Sequence, residues 1–302
     1  MGLWRDIVAA WARFADARQR SPRYTLFTHA LPAFPLPERA PLPDPPPVVA
    51  LATPCRDAAG DLVTYAGLVR GLDYPRDRLH WLMLEGDSTD DTRAQAAALL
   101  DGAEGYASTR LLTLDLGGAR SRAGRTRAEL QRDRRAGLAR CRNRLLAAAM
   151  ETGAAYVLFL DVDMAEVPPD SLRRALEWRA PVLVANCLRH EGDTVFDRNS
   201  FRYTAPVSDR SARRFLEGGL YQPPTGFFRH YPDHRSGPEI APLSCVGGTF
   251  LLIRRDVIAA GVDFPEEPYQ LHIETEGLAL KAADHGFGSF MAPRLVVRHG
   301  PH

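Results

Sequence analysis

The sequence predicts an α/β fold whose core is a mostly parallel β-sheet flanked by helices. Short, uniformly apolar runs alternate with stretches whose apolar residues recur at helical spacing. Three of the apolar runs end in clusters of polar and charged residues, which is where open sheets of this class gather their ligands. Uniformly apolar strands, as opposed to alternating ones, belong to a sheet covered on both faces.

The order of elements follows from the same pattern. VVALATP (48–54) is a buried strand, and Asp61 to Leu72 has helical spacing. LHWLML (79–84) is a second strand, followed by the turn EGDSTDDT (85–92) and an Ala-rich helix over 92–100. Residues 111–116 form a third strand. Arg135 to Thr152 is a long helix leading into the strand YVLFL (156–160), and 182–186 and 249–253 add later strands. Ahead of all this, residues 1–20 put Leu3, Trp4, Ile7, Val8, Trp11 and Phe14 on one helical stripe, with the arginines mostly off it. Such an amphipathic helix either packs on the chain's own body or rests on a membrane surface. The proline-dense stretch 31–47 excludes helix and forms an extended connector. The expected layout is therefore a helix and connector over 1–47 and one catalytic domain over 48–302.

Bulk properties narrow the function. A chain of 302 residues, 45% apolar, can bury one large core or two modest ones, and one catalytic-sized domain is the expectation. A formal net charge of +1 removes the global electrostatic case for a nucleic-acid binder. Cys55, Cys141, Cys187 and Cys245 stand singly, without metal-site or disulfide spacing, and are expected to be reduced core thiols. No window is long and apolar enough for a membrane span, and the start lacks a signal-peptide pattern. The expected location is the cytoplasm, with peripheral attachment to a membrane as the alternative role of residues 1–20.

The chemistry concentrates at strand ends: TPCRD (53–57), EGDSTDDT (85–92) and DVDMAE (161–166). Polar residues there also serve as turn formers and caps, and Ser88 to Asp91 precede a helix. Asp161 and Asp163 are different. Two carboxylates leaving a buried strand cost free energy unless a cation or hydrogen-bond donors compensate them. Oxygen ligands point to Mg²⁺ or Mn²⁺, ions that complete their shells with water and substrate phosphates, so a nucleoside diphosphate is the natural ligand. Between Arg110 and Arg144 there are eleven arginines against three acids. Arg135, Arg142 and Arg140 are the pocket candidates, since a guanidinium fork matches phosphate. Glu274 and Glu276 in HIETEG can orient hydroxyls or act as a base. His299, after the apolar run LVV, is structural or reaches the metal.

Five ordered blocks carry a resemblance. They are RRAGLARCRNRLL (134–146), YVLFLDVDMAEVPPDSL (156–172), VLVANCLR (182–189), VGGTFLLIRRDVIAAGVDFP (246–265) and LHIETEGLALKAADHGFG (271–288), followed by VVRHG (296–300). Together they resemble the fungal mannan-polymerase mannosyltransferases, glycosyltransferase family 62, over residues 48–300. The resemblance implies the type A nucleotide-diphospho-sugar transferase fold. It also implies transfer of mannose from GDP-mannose, with retention and with Mn²⁺ on the diphosphate, to a glycan or glycolipid acceptor. Asp161 and Asp163 match the family's DxD and His299 its late metal-binding histidine. Arg142 and Asn143 match its Arg-Asn pair beside the donor, and Glu274 and Glu276 its acidic pair. By similarity to type A transferases, Thr53, Pro54, Arg56 and Asp87 line the nucleoside pocket. The chain departs from the fungal pattern in having an amphipathic helix where those proteins carry a membrane anchor. Residues 190–239 are the least alike.

The expected roles follow. Asp163 and His299 bind the metal, Asp161 contacts ribose or metal, Arg142 neutralises phosphate, and Glu274 or Glu276 holds the acceptor. A sugar nucleotidyltransferase shares the strand-plus-acid logic, but TPCRDAAG is a poor phosphate loop. A non-catalytic nucleotide or carbohydrate binder of the same fold is the third reading.

Overall fold

The computed structural model describes residues 34–117 and 128–301. The expected amphipathic helix over 1–20 and the arginine-rich stretch 118–127 lie outside these residues. Strand β1 (Val49–Cys55) leads to helix α1 (Leu62–Arg70), β2 (Leu79–Glu85), α2 (Thr92–Asp101) and β3 (Ser108–Thr113). Helix α3 (Ala128–Glu151) enters β4 (Tyr156–Leu160), followed by β5 (Met164–Glu166), α4 (Ser171–Glu177) and β6 (Val182–Arg189). A run of short elements comes next: β7 (Arg202–Tyr203), α5 (Asp209–Arg214), β8 (Leu216–Glu217), β9 (Leu220–Tyr221) and β10 (Arg229–His230). The chain closes with β11 (Ala241–Leu243), β12 (Phe250–Arg254), α6 (Arg255–Ala259), α7 (Glu274–Asp284) and β13 (Ser289–His299).

The main sheet has the order β11-β13-β6-β12-β4-β1-β2-β3, with β5 added beside β13. β1, β2, β3, β4, β6 and β13 run one way, and β5, β11 and β12 run the other, so the sheet is mostly parallel as expected. From β1 the chain winds through β2 to β3 on one side and returns with β4 on the other. This reversal opens a crevice at the carboxyl ends of β1 and β4. β12 is antiparallel to β4 and pairs Phe250 with Leu160, so its beginning lies at the same rim.

Both faces of the sheet are covered, which explains the uniform apolarity of its strands. Leu51 and Leu158 enter a core shared with Tyr65, Trp81 and Leu172, whereas Ala52, Val157 and Phe159 enter a core shared with Ala139, Leu145 and Phe264. Each large buried side chain contributes about 1.5–3 kcal/mol. A third, smaller cluster joins Phe201, Tyr203, Val207 and Tyr221 to Leu280 of α7 and organises the short elements.

Two boundaries differ from expectation. The third strand runs from Ser108 to Thr113, three residues earlier than the expected 111–116 and overlapping it only over 111–113. It is an edge strand with largely exposed residues, and polar Ser108, Thr109 and Arg110 suit an edge. The long helix starts well before Arg135, through polar residues that show no apolar stripe. Residues 34–47 form neither helix nor strand, as the prolines require, and are docked on the domain. Ala40 N donates to Glu177 O at 2.9 Å, Arg78 Nε donates to Pro46 O at 2.9 Å, and Phe34 and Leu42 pack on the core. All four cysteines are buried and free.

Candidate active site

The apolar run YVLFL ends at Leu160 because the next residue has reached the rim. Asp161 N still donates to Thr249 O at 3.1 Å, and beyond it the chain leaves the sheet. Asp163 is held by its own carbonyl, which accepts from Gly300 N at 2.8 Å, directly after β13. That crossing brings His299 Nε2 to 3.1 Å from Asp163 Oδ1. The imidazole stacks on Phe196, with ring centroids 3.6 Å apart and 17° between planes. Burial works against a charged His299, but the hydrogen bond and charge of Asp163 outweigh it and raise its pKa.

A third acid joins this group. Asp197 is buried, accepting from Asn199 N at 3.1 Å and from Thr249 Oγ1 at 3.3 Å. Burial lifts the pKa of Asp197, against the pull of those hydrogen bonds and of Arg142. Asp161 is also lifted, first by burial and then by the charges of Asp163 and Asp197, while Arg142 opposes the shift. Three carboxylates destabilising one another at a cleft floor form a site that favours a cation.

The fit to a divalent ion can be judged from the donors. Among the described residues, no three His, Cys, Asp or Glu side chains form a ready cage around one point. Asp163 and His299 form a two-donor edge, and the Asp163 side chain is one-third exposed to the cleft. An oxygen and an imidazole nitrogen with open positions suit Mn²⁺ or Mg²⁺ ions that take water and phosphate as further ligands.

The positive side of the site comes from α3. Arg142, almost wholly buried, donates from Nη1 to Glu274 Oε1 at 2.8 Å and brings Nη2 to 3.5 Å from Asp161 Oδ1. Arg135, two helical turns earlier, donates from Nη1 to the same Glu274 oxygen at 3.2 Å. Glu274 has no exposed side-chain surface and sits in the first turn of α7, where the helix dipole favours negative charge. It anchors two guanidiniums. The backbone leaves room for Arg142 and Asp197 only because glycines precede β12. A Cβ on Gly248 would stand 2.3 Å from Arg142 Nη2, and one on Gly247 would stand 1.6 Å from Asp197 Oδ2.

The residues expected around the nucleoside divide into two groups. Pro54, Arg56 and Asp87 lie at the ends of β1 and β2, along the crevice. Arg56 Nε is 3.7 Å from Asp57 Oδ2, and Asp87 accepts from Leu116 N at 2.9 Å, joining the exit of β2 to the segment after β3. Thr53 is fully buried and its hydroxyl points inward, donating to Leu160 O at 2.9 Å. It accepts in turn from Tyr65 Oη at 2.6 Å, and Tyr65 accepts from Trp81 Nε1 at 2.9 Å, so the relay ends on the residue before Asp161. Asn143 is likewise occupied. Its amide donates to Phe264 O at 2.8 Å and accepts from Phe264 N at 2.9 Å, pinning the segment before α7 to α3. Arg140 is exposed on the same helix.

Glu276 faces a second space. It is buried on a wall of a cavity of about 430 Å³, which Arg135, Arg198, Gln222 and Arg229 also line. Burial raises its pKa to about 7, against the attraction of Arg229 and Arg135.

Sequence reasoning missed Asp197, Phe196 and the paired glycines. The Gly247–Gly248 pair before an apolar strand was a usable signal, because glycine there marks close approach. Nothing in TVFDRNS around Asp197 singles it out.

Comparison with known proteins places the chain. The Anp1 family profile matches residues 45–268. The chain belongs to the Anp1 family. It is 30% identical over 247 residues to the mannan polymerase complex subunit mnn9 of Schizosaccharomyces pombe, a match covering 76% of this chain and 73% of that protein. It is 25% identical over 275 residues to the mannan polymerase II complex anp1 subunit of the same yeast, covering 83% of this chain and 63% of that protein. Among solved structures it is similar to the mannosyltransferase PcManGT from Pyrobaculum calidifontis in complex with GDP-Man and Mn²⁺. That likeness has a TM-score of 0.55 and 16% identity, over 97% of this chain and 67% of that one. The fold of this Anp1-family chain is the type A glycosyltransferase fold, and the protein is a glycosyltransferase.

Proposed function

We propose that the protein transfers mannose from GDP-mannose to a hydroxyl of a glycan or glycolipid, with retention and with dependence on Mn²⁺ or Mg²⁺. The observation that carries this reading is the Asp163–His299 pair, 3.1 Å apart, beside Arg142 and Asp161 at the carboxyl ends of β4 and β13. Asp163 and His299 would hold the ion, and Asp161 would contact ion or ribose. The ion would supply positive charge against the diphosphate.

Arg142 meets the charge that grows on the departing diphosphate, and Glu274 keeps its guanidinium aimed before substrate arrives. Pro54, Arg56 and Asp87 border the space for the nucleoside. Thr53 and Asn143 act behind them, holding the strand end and the 264 segment in register. In the transfer, the bond from the anomeric carbon to the phosphate oxygen breaks as the acceptor oxygen bonds to that carbon. Retention requires the acceptor to arrive on the face the diphosphate leaves, its proton passing to the departing phosphate oxygen.

Among the described residues no helix is long and apolar enough to cross a membrane. A cytoplasmic protein that touches the membrane surface through residues 1–20 suits this reading. Lipid flotation of the full chain against a form lacking those residues tests the contact, and equal behaviour rejects it.

The decisive experiment is calorimetric titration with GDP, with and without Mn²⁺, followed by turnover on a panel of sugar nucleotides and anomer analysis of the product. Binding that ignores Mn²⁺, or absence of transfer from every donor, would overturn the assignment.

A further inference from the structure

The short elements between β6 and β11 carry a surface that the sheet and its rim do not explain. Residues 198–230 contain six arginines and two acids, a local excess of positive charge in a chain whose formal net charge is +1. Arg210, Arg213 and Arg214 in α5 are exposed, as are Arg198 and His230. Arg202 is half-buried and stands opposite His230 in the β7–β10 pair. Arg229 turns inward, its guanidinium 4.2 Å from the ring centre of Phe201.

Apolar side chains lie exposed within this charge. Among the described residues Leu36, Val63, Leu216 and Phe228 are the large hydrophobics left exposed, and Leu216 at 44% and Phe228 at 39% both belong to this region. A run of rings ties together the elements that carry them. The Phe228 ring lies 4.4 Å from that of Phe227, which lies 4.9 Å from that of Phe215, the residue before Leu216. Arg214 covers the Phe215 ring at 5.3 Å. Phe228 has a φ of +52°, in the left-handed region that favours glycine, and Thr204 N donates to its carbonyl at 2.9 Å. A bulky residue is held in that conformation although the core does not enclose its ring, and backbone strain of this kind gathers at functional positions.

Aromatic and aliphatic side chains set among arginines suit one class of partner. Apolar groups of this kind settle at the boundary between headgroups and acyl chains, arginine stems lie along it, and each basic residue near an anionic leaflet adds attraction. A stable protein interface takes about 20–30 residues a side, whereas the exposed apolar groups here are confined to the β8–β9 hairpin and the turn before β10. A second copy of this chain would bring like charges together.

We propose that α5, the β8–β9 hairpin and the turn before β10 form an interfacial patch that seats the domain on an anionic lipid surface. Leu216 and Phe228 enter the headgroup boundary, and Arg210, Arg213 and Arg214 meet the headgroups. This contact is separate from residues 1–20 and does not depend on the transfer reaction. The same hairpin and turn supply Glu217, Leu220 and Thr225 to the wall of the cavity beside Glu276, so a seated domain holds that wall close to the lipid.

The test follows the patch itself in the full chain, so that a contact through residues 1–20 is read separately. All four native cysteines are buried, and a thiol-reactive bimane label therefore goes to an introduced cysteine. Leu216→Cys and Phe228→Cys report on the patch, the apolar label standing in for the side chain it replaces. Val63→Cys on α1, where the native side chain is 81% exposed, is the control. With vesicles of phosphatidylcholine and phosphatidylglycerol, the labels at positions 216 and 228 should shift to the blue and be quenched by doxyl lipids, while the label at position 63 does neither. Phosphatidylcholine alone should give little shift. Adding Arg210→Gln and Arg214→Gln to the Phe228→Cys variant should raise the lipid concentration at half-maximal shift about tenfold, with circular dichroism unchanged. Silent labels on protein that floats with the vesicles, absence of vesicle binding, or an equal response at position 63 would each overturn the assignment. So would an equal shift with neutral vesicles, a midpoint indifferent to the two arginines, or a blue shift on concentrating the protein without lipid, which marks self-association.

Discussion

Residues 49–160 and residues 190–240 are built by opposite means. The first region is built on the parallel strands β1, β2 and β4, almost wholly buried and with their exits fixed by sheet register. The second has four two-residue strands and one short helix, assembled around Phe201, Tyr203, Tyr221 and the stacked Arg229. The comparison teaches a division of labour. In the proposed reaction, rigid strand ends would hold the charges that neutralise the diphosphate, because electrostatic stabilisation depends on dipoles and charges that do not reorganise. The irregular region shapes the adjoining cavity, where residues can change without disturbing the sheet.

The largest expected effect tests the rigid half. Asp163→Ala should lower turnover with a sugar nucleotide by about 10²–10³-fold while leaving the fold intact by circular dichroism, and unchanged initial rates would contradict the metal-edge assignment. Glu274→Gln should come next. It leaves the buried guanidinium of Arg142 and the half-buried one of Arg135 short of one negative charge, and urea denaturation should show a loss of about 3 kcal/mol. A loss under half that value would mean that Asp161 suffices for Arg142.

Glu276→Gln sharpens the contrast between neighbouring acids. Burial lifts the folded pKa of Glu276 from 4.5 to about 7, so the folded state binds more protons than the unfolded state between those values. Its contribution is fully present below about pH 4.5 and is lost as pH rises to about 7, by up to about 3 kcal/mol. The Gln variant should flatten that slope in denaturation measured from pH 4.5 to 8. An unchanged slope would show that Glu276 is not its source.

Gly248→Ala probes the joint between the regions. The new methyl would collide with Arg142 Nη2, which is pinned to Glu274 and cannot easily yield. GDP affinity should fall about tenfold, equivalent to about 1.4 kcal/mol, and calorimetry would detect its absence. The smallest effect is assigned to Thr53→Val, which cuts the relay from Trp81 to Leu160 and should cost about 1–2 kcal/mol of stability with little change in specificity.

The sheet could be read from the chain because its strands are apolar on both faces and the acids at its rim follow them directly. VVALATP and YVLFLDVD needed no partner to be recognised. The edge strand over 108–113 was misplaced because an edge tolerates polar residues and so loses the signal. The same limit hid the elements of residues 190–240, where strands of two residues carry no periodicity at all. Within the site, the residue types were readable and their divisions were not. Glu274 and Glu276 lie in one short motif, yet one is enclosed by Arg135 and Arg142 and the other borders a cavity.

Local order along the chain was enough to establish a helix-flanked sheet, acids at its rim and a basic helix beside them, since periodicity and adjacency act over a few residues. Which acid meets which base was settled by folding. Arg142 and Glu274 are 132 positions apart, and Asp163 finds His299 only where β5 and β13 pair. Side-chain partners at that separation depend on strand register and on the paired glycines that let backbone and guanidinium approach, and neither is written in any single stretch of residues.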